Sequence, residues 1–279
     1  MLSNSHLIFE EEIKQNIVER FERFKSFQSL MLNVLSDFHR VCEKNGIQYF
    51  LAYGSLLGAI RDNGQIPWDY DIDTWVHFED KEKLFKALEN DLCKDYYFVC
   101  HYYHNSAYHR MLRISPKGYN SEVLHVDVFW LSGASDNPVV NKKQLKNMER
   151  IRRISFYKYC DYKFMGNLNS RLIQILTRFK IIMSRMIPDV VLDKIYNKYV
   201  SRSSTSSKMV NDGDSLYADS EWFKKNKCIE IGNGMKLSVP YEYENLLKLL
   251  YGNYQDYMPI ENRMTEFCNA LLRIETLGK

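Results

Sequence analysis

The sequence contains no run approaching the roughly 18 uncharged apolar residues of a membrane-spanning helix, which excludes a transmembrane helix. Met1 to Glu12 is acidic and has neither the basic stretch nor the apolar core of a secretory signal. The six cysteines show no Cys-x-x-Cys and no histidine at zinc-ligand spacing, so reduced and mostly buried thiols are expected. An excess of one charge is missing too. Thirty-eight Lys and Arg stand against 35 Asp and Glu, for a net charge of +3, and no local basic patch marks a nucleic-acid partner. These absences predict a cytoplasmic protein, at most peripheral to the inner face of the membrane.

What the sequence does contain is concentrated between Tyr49 and Phe78. The apolar run Ile47 to Tyr53 has the length of a buried strand, stops at Gly54-Ser55, and gives way to a helical turn from Leu56 to Arg61. Beyond Asn63-Gly64 and Pro67, residues 71–78 alternate. Asp71, Asp73, Trp75 and His77 fall on one face of a strand, and Ile72, Thr74, Val76 and Phe78 on the other. Two carboxylates held this close repel, and a hard divalent cation such as Mg²⁺ relieves the repulsion. The competing reading is a solvated edge strand that happens to carry two acids.

The stretch Gly54-Ser55-Leu56-Leu57-Gly58-Ala59-Ile60-Arg61, followed by Ile66-Pro67-Trp68-Asp69-Tyr70-Asp71-Ile72-Asp73, resembles the signature of the LicD family of phosphotransferases, within the nucleotidyltransferase superfamily. Tyr70 departs from the Asp usual there, and by strand parity it faces away from Asp69, Asp71 and Asp73. The family closes with a series similar to Val239-Pro240, Tyr243-Glu244, Leu249-Leu250-Tyr251-Gly252 and Pro259, so the resemblance covers about Ile47 to Pro259, weakly between Lys142 and Lys224.

Around this stretch, apolar residues from Ile13 to Val41 recur at intervals of three and four and predict a long helix ending near Asn45-Gly46, lying across the sheet without a chemical role. Asp80 is placed as the N-cap of a helix through Leu92, and strands are expected at Tyr96–Tyr103 and His109–Ser115, separated by Asn105-Ser106. Arg113 on the latter is a candidate phosphate ligand. In the strand Leu124 to Leu131, Asp127 is an acid among apolar residues. The resemblance implies that it is the third carboxylate of the site, and the alternative is a pair with Arg113.

A basic helix is expected over Asn141 to Lys158. In Arg171 to Met186, Leu172, Ile175, Leu176, Phe179, Ile182, Met183 and Met186 form one stripe, with Arg171, Arg178 and Arg185 along one edge and Lys180 towards the other. Core packing is the favoured reading of the stripe, and peripheral contact with a membrane the second. Ser201 to Asp214 is expected to be a mobile loop, Asn233-Gly234 the turn of a hairpin, and Pro240 the start of a helix ended by Gly252. The fold expected is α/β (α+β), a nucleotidyltransferase-like mixed sheet flanked by helices with an additional helical section. It divides into a catalytic core with its N-terminal helix (1–140), a basic helical insertion with a Ser-rich loop (141–215) and a C-terminal hairpin with helices (216–279).

The resemblance implies a reaction. A phosphorylated alcohol (phosphocholine, ribitol phosphate or glycerol phosphate) passes from a CDP-linked donor to a sugar hydroxyl of a glycan or lipid-linked glycan, and CMP leaves. Mg²⁺, with Mn²⁺ as a substitute, would be held by Asp71, Asp73 and Asp127, the last as ligand or as base. Gly54, Ser55, Arg61, Asp69 and Arg113 would bind substrate. CDP-choline is the favoured donor, since 20 tyrosines and four tryptophans supply material for an aromatic cage around an ammonium group. The alternatives are a nucleotidyltransferase that releases pyrophosphate and a non-catalytic glycan-binding protein on the same fold. A DxD glycosyltransferase is disfavoured because Gly54-Ser55 precedes the acids.

Overall fold

A computed structural model describes residues 4–103, 109–160, 171–200, 204–232 and 234–277. The breaker Asn105-Ser106 and the turn residue Asn233 lie outside these. The chain opens with α1 (Asn4–Asn45), whose buried stripe runs from Phe24 through Met31, Val34, Leu35 and Phe38 to Val41 and packs on the main core. Phe21, nearer its start, is exposed. The helix stops where Gly46 takes a φ of +58°, a conformation that costs glycine little.

There follow β1 (Tyr49–Leu51), α2 (Tyr53–Leu57) with a wide turn over Gly58–Asp62, β2 (Ile72–His77), α3 (Lys81–Asp91), β3 (Tyr96–Val99), β4 (Leu112–Pro116) and β5 (Val126–Ala134). The strands lie in the order β1-β2-β5-β4-β3, with β2 and β5 parallel and the other neighbours antiparallel. The sheet is therefore mixed and flanked by helices. β2 sits between β1 and β5, which rules out the edge-strand reading. Like other parallel strands it is covered on both faces, so Trp75 and His77 are buried although they share the parity of Asp73. His77 bonds Ser204 Oγ (2.7 Å) and the Phe223 carbonyl (3.2 Å).

The remaining elements are α4 (Pro138–Tyr159), α5 (Arg171–Arg185), α6 (Asp189–Val200), β6 (Met209–Asn211), β7 (Tyr217–Asp219), β8 (Asn226–Glu230), β9 (Lys236–Pro240), α7 (Tyr243–Tyr251) and α8 (Ile260–Leu277). β6 extends the main sheet along the far end of β5, and β7 pairs with β6. The stretch expected to be a mobile loop thus contains a sheet strand. Its first three residues, 201–203, lie outside the described ones, while Ser204 is tied to His77 and Glu79. The β8–β9 hairpin forms as expected, but Pro240 closes β9 and α7 starts at Tyr243.

Core packing of the α5 stripe is not what the structure shows. Thr177, Ile181 and Ser184 are the buried residues of α5, on the side of α4, while Leu172, Ile175, Leu176, Phe179, Ile182, Met183 and Met186 are 45–71% exposed. Periodicity marks a stripe but not the side that is covered, and here the small polar residues face the protein. Among the described residues no helix is long and apolar enough to cross a membrane.

Candidate active site

The site is built on the passage from β1 into α2. After extended Ala52, Tyr53 adopts a φ of +43°, which turns the chain sharply into the helix and is strained for a non-glycine residue. The strain is held by an anchor. The Tyr53 hydroxyl donates to Asp212, whose carboxylate also accepts from Trp75 Nε1 (2.9 Å) and from the backbone N–H groups of Asp214 and Leu216 (3.0 and 3.2 Å). Asp212 is buried, and burial raises its pKa against the opposing pull of its Tyr53 and Trp75 bonds. No local pattern in the sequence distinguishes it from the Ser- and Asp-rich residues around it.

Two glycines bring the acid loop onto α2. A Cβ on Gly54 would lie 2.9 Å from Asp69 Oδ2, so its lack of a side chain makes room for that carboxylate. A Cβ on Gly58 would lie 2.7 Å from the Gly64 carbonyl and 2.9 Å from the Ile66 nitrogen, both backbone atoms that cannot swing aside. Gly58→Ala is therefore expected to cost about 1–3 kcal/mol, read as a fall of several degrees in Tm, with the acid loop displaced. From the other side, buried Gln28 of α1 donates to the carbonyls of Ile66 (3.1 Å) and Asp69. The helix assigned no chemical role thus helps position the acids.

Asp73 is fixed twice. Its backbone N–H donates to Ser55 Oγ at 2.9 Å, and in the parallel pairing its Cα lies opposite that of Asp127. Burial, followed by the charges of Asp71, Asp127, Asp69 and Asp212, pushes the Asp73 carboxyl well above the usual carboxylate range. Asp69 is raised by burial and then by the neighbouring Asp71 carboxylate.

Asp127 is different. Burial would raise its pKa, but His125 and Arg113 outweigh that and hold it well below the ordinary range. Arg113 Nε meets Asp127 Oδ1 at 3.0 Å and His125 Nε2 lies 3.3 Å from Oδ2, while Arg113 Nη1 reaches Glu122 (3.0 Å). Both readings of Asp127 are therefore present in one arrangement. It faces Asp73 across the strand pair, and it is paired with Arg113.

Asp69 and Asp71 line a cleft of about 680 Å³ between the acid loop and the C-terminal helices. Gly54 and Arg61 also line it, with Trp68, Tyr251, Tyr254, Tyr257 and Arg273. Tyr70 lines it as well, which corrects the parity expectation: residues 69–71 precede β2 and do not alternate as a strand. Burial pushes the Tyr70 hydroxyl up to about 12, with Arg273 opposing and Asp71 adding to the rise. Arg61 pairs with Asp62 (2.9 Å) and stacks 4.3 Å from the Tyr257 ring, whose hydroxyl donates to Asp62 (2.6 Å). Arg273 donates to the Glu122 carbonyl at 2.9 Å.

Residues 46–168 match the family model described as the LicD/FKTN/FKRP nucleotidyltransferase domain. This segment is a LicD-family domain. It is similar to lipopolysaccharide cholinephosphotransferase LicD of Haemophilus influenzae, 46% identical over 57 residues, which are 20% of this chain and 22% of that protein. It is also similar to human ribitol 5-phosphate transferase FKRP, 52% identical over 40 residues, which are 14% of this chain and 8% of that protein. The chain thus spans less than a quarter of the length of either curated relative. The LicD domain contains Asp69, Asp71, Asp73 and Asp127, whereas Asp212 and the cleft residues Tyr251, Asp256, Tyr257, Glu266 and Arg273 come from beyond it.

Among the described residues no three acidic, imidazole or thiol groups converge as a preformed metal cluster. The case for a divalent cation rests on donor chemistry. Asp69, Asp71 and Asp73 are hard oxygen donors, and the neighbouring carboxylates help to push Asp69 and Asp73 up, a repulsion that a cation relieves.

Proposed function

We propose that this protein transfers a phosphorylated alcohol from a CDP-linked donor to a sugar hydroxyl of a glycan, releasing CMP. The observation that carries the reading is the pair Asp69 and Asp71 at the wall of an aromatic and arginine-lined cleft, whose charges act on the neighbouring Asp73. It lies in a domain whose matched relatives are named as a cholinephosphotransferase and a ribitol 5-phosphate transferase.

In this reading Asp71 and Asp73 would hold Mg²⁺, which would supply charge neutralisation at the diphosphate. The acceptor oxygen forms a bond to the phosphorus that carries the alcohol, the bond from that phosphorus to the bridging oxygen breaks, and CMP departs with the electron pair. The acceptor proton needs a base. Asp69, raised by burial and by Asp71 and lining the cleft, is better placed to take it than Asp127, which His125 and Arg113 hold low. Asp127 serves as a fixed charge facing Asp73. Trp68, Tyr254 and Tyr257 give the cleft the aromatic faces that favour a choline ammonium group.

A mass-spectrometric screen of CDP-choline, CDP-ribitol and CDP-glycerol should show CMP release from one of them with Mg²⁺ or Mn²⁺, abolished by EDTA, and no pyrophosphate from any nucleoside triphosphate. Pyrophosphate release from ATP or CTP with a small acceptor would instead establish nucleotidyl transfer. The absence of either product would leave the glycan-binding alternative.

A further inference from the structure

The feature of the molecule that the cleft does not explain is α5. Its exposed stripe presents Ile175, Phe179, Ile182 and Met186 to solvent, while its polar Thr177 and Ser184 point inward. A helix facing only water would carry the opposite arrangement. The charges around it are as one-sided as the stripe. α5 carries four basic residues and no acid, and α4, on which it packs, carries seven basic residues and one acid. The chain as a whole has a formal net charge of only +3, so everything outside this helix pair is net acidic.

The placement of those charges matters as much as their number. Arg171, Arg178 and Arg185 lie along one edge of the apolar stripe and Lys180 on the other, all exposed. Arg185 also donates to the carbonyls of Lys158 and Cys160 (3.3 and 3.5 Å), which fixes the end of α5 to the end of α4. An apolar face sunk to the acyl boundary, with long cationic side chains reaching back to the headgroups on both sides, is the geometry of an interfacial helix. A nucleic acid would meet the cations but find aliphatic side chains where stacking or phosphate contacts are needed.

We infer that α5 docks this protein on an anionic lipid surface, lying in the plane of the interface with Phe179 and Ile182 inserted and the α4–α5 cations against the headgroups. The docking needs no substrate, so it stands or falls separately from the transferase reading.

The test uses the full chain and vesicles of phosphatidylcholine with and without phosphatidylglycerol. Flotation should show binding to the anionic vesicles that weakens as salt is raised. Phe179→Glu with Ile182→Glu should weaken it more than tenfold, because each removes an inserted apolar side chain worth about a factor of ten or more. Both positions are exposed, so the variant should keep the parent's circular dichroism and melting temperature. As an independent reading, the Phe179→Trp variant should show a blue-shifted emission on adding anionic vesicles. Equal binding by the Glu variant, no binding by the parent, or an unshifted emission from the Phe179→Trp variant would overturn the inference. So would a parent that self-associates in sedimentation while the Glu variant stays monomeric, since the stripe would then be an interface with a second copy. Tighter binding to a duplex oligonucleotide than to vesicles, unaffected by the Glu substitutions, would identify a polyanion site instead.

Discussion

Asp73→Asn is expected to abolish CMP release while leaving the protein folded and, without metal, slightly more stable. The loss should reach about a thousandfold, because a ligand for the ion that neutralises the diphosphate is removed. The fold should survive because the bond that ties β2 to Ser55 comes from the Asp73 backbone and not from its carboxylate. The stability gain follows from the raised pKa. A carboxyl whose folded-state pKa lies above its unfolded value of about 3.9 contributes stability below that value and loses it as pH rises through the folded one. At pH 7 the metal-free parent bears that penalty and the Asn variant does not. Thermal melts at pH 7 and pH 4 should show the variant's advantage at the higher pH only, and Mg²⁺ should raise the parent's Tm more than the variant's. Turnover within tenfold of the parent would remove Asp73 from the site.

Arg113→Met should produce the largest loss of stability, about 3–5 kcal/mol, because it leaves buried Asp127 and half-buried Glu122 without their shared guanidinium. The effect should depend on acid in a defined direction. Asp127, held below its ordinary pKa, contributes stability above the unfolded value of about 3.9, and that contribution disappears as pH falls through the lower folded value. Removing Arg113 withdraws part of what holds it low, so the variant should lose less on acidification than the parent does. Urea titrations at pH 7 and pH 2 measure both quantities, and Arg113→Met with Asp127→Asn should recover part of the loss. A cost below about 1 kcal/mol at pH 7 would show that the pair is not a structural element.

The parts of the site that were legible in the sequence are those where local geometry and chemistry coincide. Gly54-Ser55 at a strand end, the acid row from Asp69 to Asp73, and an acid among apolar residues at Asp127 can all be read without knowing what lies opposite. The structure brings Asp73 and Asp127 to facing positions of neighbouring strands. What could not be read depends on partners distant in the chain. Gln28 looks like any polar residue on a helix until Ile66 and Asp69 arrive over it, and Asp212 has no meaning until Tyr53 and Trp75 converge on it. The α5 stripe shows the same limit, since a hydrophobic period states that one face differs and leaves open which side the protein covers. Tyr70 escapes the sequence for a simpler reason: it precedes the first residue of β2, where strand parity no longer holds.

The cleft has one wall from residues 54–71 and the other from residues 251–273. Occupancy by any molecule therefore clamps the late helices to α2 and the acid loop across most of the chain's length. By mass action a ligand at a hundred times its Kd would add about 2.7 kcal/mol against every opening that parts those walls. Amide hydrogens of α7, α8 and the turn over Gly58–Asp62 would then exchange more slowly as one cooperative unit, while those of α5, which lines no part of the cleft, would keep their own rate.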